Sequence, residues 1–110
     1  MAENLESLGR KVLDLSQNLK DTGFILYGTV SKHYMKCGHM GCKCHGDPPQ
    51  LHGPYYDWTR KVNGKTKTIR LTEDQAKTVE EWISNMRRVE KILEEIEKIS
   101  VQAALEKIKK

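Results

Sequence analysis

Three cysteines, Cys37, Cys42 and Cys44, fall within eight residues of a chain of 110. Their number is odd and their spacing tight, which suits duty as ligands to one metal ion better than disulfide pairing. A chain this short, 37% apolar and with a single Phe, has little core to set against its ordering entropy. A staple, a partner chain or both are therefore expected.

The cluster itself points to zinc. A structural zinc site fills a tetrahedron with four soft or borderline ligands, and three thiolates supply three of them. Gly38 and Gly41 permit a tight turn between Cys37 and the later pair. Lys36 and Lys43 offset the negative charge and favour the thiolates. The fourth ligand comes from His52, His45 or His39. His52 is preferred, because binding there ties the cysteine loop to the segment that follows. His45 directly follows Cys44, where adjacent side chains usually diverge, and His39 sits inside the first loop. An iron–sulfur cluster wants a fourth cysteine. Catalytic zinc wants an open position and a nearby base, and Asp47 is the one carboxylate close to the cysteines. The expectation is a bound Zn2+ without an enzyme activity, and no small-molecule substrate. Three unligated thiols remain the plainer alternative.

Around the cluster the pattern changes twice. Leu5, Leu8, Val12, Leu15 and Leu19 alternate steps of three and four, which predicts a helix over residues 3–20 with one narrow apolar stripe, ended by Asp21, Thr22 and Gly23. From Phe24 a β-branched and aromatic run predicts a strand reaching the cysteines, with Gly28 marking a bulge or bend. Residues 55–62, Asn63-Gly64 and 65–71 read as a hairpin with a two-residue turn. That turn sets Trp58 opposite Ile69, Tyr56 opposite Leu71 and Arg60 opposite Lys67 on one face, and Asp57 opposite Arg70 on the other. Thr72 through Gln75 is a capping box. After it, Val79, Trp82, Met86, Val89, Leu93 and Ile96 keep helical spacing in a stretch without Gly or Pro to Lys110. The fold class expected is α+β. A small zinc-stapled antiparallel sheet (24–71) stands between an N-terminal heptad helix (1–23) and a long C-terminal helix (72–110), which forms a coiled-coil or helical dimer interface.

At the cysteines the chain resembles a family of small prokaryotic domains of unknown function, some found alongside mobile-element proteins. The likeness lies in Cys37-Gly38, in Gly41-Cys42-Lys43-Cys44 and above all in Leu51-His52-Gly53-Pro54-Tyr55-Tyr56. Gly64-Lys65-Thr66 and Glu81-Trp82-Ile83 continue it, so that it covers roughly residues 24–100. It implies a structural position for His52 and a role near nucleic acid.

Charge points the same way. Residues 21–71 hold eight bases and three acids, a balance of +5, against 0 for residues 1–20 and −1 for residues 72–110. Arg60 and Lys67 face each other, and like charges so placed destabilise a hairpin unless an anion sits between them. Lys36, Lys43, Arg60, Lys61, Lys65, Lys67 and Arg70 are the candidate contacts to phosphates, with low sequence specificity because no basic base-reading helix is in view. The function expected is a dimeric, zinc-stabilised nucleic-acid-binding protein. The competing reading is a protein-interaction adaptor that works through its long helix, and a third is a metal-buffering or redox thiol protein. The N-terminal residues carry acids where a secretory leader carries bases, and no run is long enough to cross a bilayer, so a cytoplasmic location is expected.

Overall fold

The computed structural model describes residues 4–109. Among them are two helices and a three-stranded antiparallel sheet, in the order α1 (Leu5–Gln17), β1 (Thr29–Met35), a single 3-10 turn (Lys43–His45), β2 (His52–Val62), β3 (Lys65–Leu71) and α2 (Glu73–Ile108). This is the α+β class expected. Two compact units are distinguishable, one of residues Leu26–Ile83 and one of Met1–Ile25 with Ser84–Lys110. No helix among the described residues is long and apolar enough to cross a membrane.

α1 starts where Asn4 caps it, its side chain accepting from the Ser7 N–H at 2.8 Å. The apolar stripe expected there has a fully buried member, Leu8, at 2% exposure, while Leu5 and Leu13 remain open to solvent. The helix is shorter than residues 3–20. Asn18, Leu19 and Lys20 turn their N–H groups to the carbonyls three residues back, on Leu15, Ser16 and Gln17. That tighter winding satisfies orphan carbonyls at a helix end. Residue 3 lies outside the described residues.

The strand expected from Phe24 begins five residues later, at Thr29. The backbone of the intervening stretch is engaged elsewhere: the Leu26 N–H donates to the Trp82 carbonyl and the Tyr27 carbonyl accepts from the Trp58 indole. Groups so committed cannot join a ladder. The sheet order is β1-β2-β3. Across the β2–β3 hairpin all seven cross-strand pairs, from Tyr56↔Leu71 to Val62↔Lys65, are those the Asn-Gly turn implies. Asn63 and Gly64 have φ of 52° and 78°, as a two-residue turn of this kind requires.

α2 opens on the reciprocal capping box. The Thr72 N–H donates to Gln75 Oε1 at 2.9 Å and the Gln75 N–H to Thr72 Oγ1 at 3.2 Å. Its 36 residues extend about 54 Å at 1.5 Å per residue. Within the sheet-bearing unit, Ala76, Val79 and Ile83 of α2 are buried. Trp58, Ile69 and Leu71 of the sheet join Val79 and Trp82 in lining an open trough of about 430 Å³. Ile69 keeps 44% of its surface exposed because that trough is not closed.

Candidate metal centre

Four segments of the sheet-bearing unit converge on one point. Cys37 follows the end of β1, Cys42 closes the loop after it, Cys44 sits in the 3-10 turn and His52 begins β2. The loop is held by short backbone bonds: Cys42 N–H to the His39 carbonyl at 3.1 Å, His45 N–H to the Cys42 carbonyl at 3.0 Å, and both Gly46 and Gln50 N–H groups to the Lys43 carbonyl. Opposite it, the ladder between β1 and β2 slips between His33↔Tyr55 and Met35↔His52. One extra β2 residue, in the Gly53-Pro54 step, is thereby placed in a bulge, where a proline without an N–H does no harm. Such a bulge shifts the two-residue alternation by one, and so re-aims His52. Gly53 has φ 132°, and a Cβ there would meet Tyr34 Cδ1 at 2.9 Å and the His33 carbonyl at 3.0 Å, so the approach of β1 to this point requires glycine.

The result is a compact donor set. One ligand atom from each of Cys37, Cys42, Cys44 and His52 lies within 4.8 Å of every other. The Cys37 and Cys44 sulfurs are 3.6 Å apart and Cys42 Sγ is 3.1 Å from His52 Nε2. A zinc tetrahedron with Zn–S of about 2.3 Å and Zn–N of about 2.0 Å has S···S edges of about 3.8 Å and S···N edges of about 3.5 Å. These two edges lie within a few tenths of an ångström of the tetrahedral values, and the 4.8 Å bound on the remaining ones leaves the set compact enough to close on a single ion. All three cysteines are free thiols.

The other two histidines of the loop stand apart from the set. His45 Nε2 lies 2.7 Å from the Cys37 carbonyl oxygen. With that nitrogen donating, a lone pair remains on Nδ1, but His45 has no ring nitrogen among the converging donors, and its hydrogen bond steadies the backbone of Cys37. His39 is exposed, its ring beside Gly41.

The Cys42 and Cys44 thiols are displaced in opposite directions. Cys42 is lowered to about 6, first by the backbone N–H of Cys44, then by the Cys44 thiol and the His52 ring. Cys44, with no exposed surface, is pushed up by burial. The backbone N–H of Cys37, 3.3 Å from Cys44 Sγ, works against that rise.

The basic residues do not form one patch. The register places Arg60, Lys65 and Lys67 on the face that carries Trp58, and Lys61 and Arg70 on the opposite face. Lys36 and Lys43 are exposed in the cysteine segment. Arg60 is half-buried, its guanidinium 4.3 Å from the centre of the Trp58 ring. Arg70 is engaged more fully, donating from Nε to Asp57 Oδ1 at 2.8 Å and lying 4.4 Å from the centre of the Tyr55 ring. His33 completes this cluster, with Nε2 at 3.4 Å from Asp57 Oδ2. Sequence reasoning passed over His33, because its place beside Asp57 depends on the β1–β2 register, for which no turn supplies a rule.

A family model described as a domain of unknown function (DUF6788) matches residues 2–81. The match takes in α1, which lies before the 24–100 span of the resemblance, and stops at residue 81 within α2. No curated protein and no solved structure matches the chain.

Proposed function

The chain belongs to this family, DUF6788, and on that premise we propose that it is a zinc-stapled, non-catalytic, dimeric protein that binds nucleic acid with low sequence specificity. Zinc is the ion that three thiolates and one imidazole suit best, and a filled set of four leaves no position for a reacting water. Its part is to fix the loop that joins β1 to β2.

The observation that carries the nucleic-acid reading is the pairing of Arg60 with Lys67 beside Lys65 at the turn end of the hairpin. Two cations held opposite each other are destabilising on their own account, and a phosphate between them reverses the sign. Arg60 stacked on Trp58 offers a flat cationic surface of the kind that nucleic acid uses. Resemblance to domains found beside mobile-element proteins leans the same way.

Anisotropy titration with labelled single- and double-stranded DNA and RNA tests it. Three phosphate contacts give a log–log salt slope of about −2.7, so affinity should fall about 40-fold between 50 and 200 mM salt. Arg60→Ala with Lys67→Ala should reduce the slope to about −0.9. Absence of any binding at low salt removes the reading.

A second reading has one observation in its favour. Leu93, Val101, Leu105 and Ile108 of α2 are each more than half exposed, as an adaptor helix for a protein partner would be. A partner recovered by pull-down after nuclease treatment would favour that reading.

A further inference from the structure

The second half of α2 carries apolar residues on two arcs. Along one, Val89, Ile92, Ile96, Ile99 and Ala103 recur at steps of three and four and are all half-buried. That seam belongs to the unit that also contains α1. The adjoining arc is different. At 3.6 residues per turn, Leu93, Glu97, Val101, Ala104, Leu105 and Ile108 fall within roughly a third of the helix circumference. Leu93, Val101, Leu105 and Ile108 there are 51%, 51%, 54% and 73% exposed. One helix thus has a half-buried apolar stripe and, beside it, an open one, which is the pattern of a bundle helix with a neighbour on each side.

Charge along the same stretch says what the second neighbour is. Residues 90–97 hold Glu90, Glu94, Glu95 and Glu97 against Lys91, four acids and one base, for −3. Residues 98–109 hold Lys98, Lys107 and Lys109 against Glu106, three bases and one acid, for +2. A parallel copy would set like charge on like. An antiparallel copy sets the acidic block of each helix against the basic block of the other.

Resting on the dimeric reading above, we infer that the second half of α2 pairs antiparallel with α2 of a second copy of this chain, about a two-fold axis beside Ser100 and Val101. With Leu93 of one copy beside Ile108 of the other, position 105 lies level with position 96, between Leu93 and Glu97 of the facing arc, and Glu94 lies level with Lys107. Glu97, within the arc as Glu94 is, lies opposite the small Ala104, with Lys107 of the other copy a turn away. A two-fold contact of this kind uses the same patch on both chains and closes on itself.

The test uses the full zinc-loaded chain. Sedimentation equilibrium should give a dimer. A photoreactive benzophenone amino acid at position 105, mixed with nitrogen-15-labelled unmodified chain, should cross-link between chains to residues 93–99. Glu94→Lys with Glu97→Lys should weaken the dimer at least tenfold, and adding Lys107→Glu with Lys109→Glu should restore it, since the blocks then oppose again with signs exchanged. These positions are exposed, so circular dichroism should not change. A dimer whose cross-links run from position 105 to residues 102–108, or whose fourfold variant is not restored, overturns the antiparallel arrangement and leaves the dimeric reading standing. A monomer at every soluble concentration overturns both.

Discussion

Cys44 and Cys42 prepare the donor set in different ways. Cys42, lowered to about 6, is already largely thiolate at neutral pH. Cys44, raised by burial, keeps its proton until a cation takes its place. Zinc uptake at pH 7 should therefore release protons, which a pH indicator in weak buffer detects. Acid acts in the other direction. As pH falls through 6 the Cys42 thiolate is protonated and its share of the affinity is lost. Zinc retention against a colorimetric chelator should hold at pH 7 to 8 and fall steeply between pH 6 and 5. The two loop histidines separate by the same assay. His52→Ala should abolish stoichiometric zinc, whereas His45→Ala should keep the ion and weaken its binding about tenfold, as loss of a supporting hydrogen bond does. Reversal of those two results would transfer the ligand role to His45. The cysteines were legible in the sequence because their chemistry and spacing are local. The choice among histidines turned on where each ring points, and the proton that His45 directs at the Cys37 carbonyl has no signature in composition.

At the level of elements, local rules were the readable ones. The Asn63-Gly64 turn set the register of β2 on β3, and the Thr72–Gln75 box set the start of α2. The box has a measurable worth: Thr72→Ala should cost about 1 kcal/mol, read as a lower midpoint at unchanged slope in urea unfolding. An unchanged midpoint would mean that water replaces the lost bond in full. Features fixed by distant partners were not readable. Residues 24–28 have strand-like composition, yet Trp82 and Trp58, more than 30 positions away, take up backbone groups of Leu26 and Tyr27. The bulge at Gly53-Pro54 escapes for a related reason. Its place follows from how β1 lies against β2, and a loop as long as the one between them sets no register.

For the molecule as a whole, the donor set lies in the unit Leu26–Ile83 and nowhere in the other. That unit has few buried apolar side chains, with Cys44 itself among them and Ile69 left half open. Chelation should consequently unfold the sheet more than the helices. With EDTA, amide exchange in β1 and β2 should approach unprotected rates, while most of the helical circular dichroism remains. A sheet that keeps its protection after chelation would show that the metal does not hold it. The stacking of Arg60 on Trp58 has a practical corollary here. Trp58 and Trp82 are the only two tryptophans of the chain, and both stand in the unit that holds the cysteines. Intrinsic emission is therefore a built-in, label-free gauge of that half alone. An anion that lifts the guanidinium from the indole should register in the spectrum, and events confined to the remainder should pass unseen.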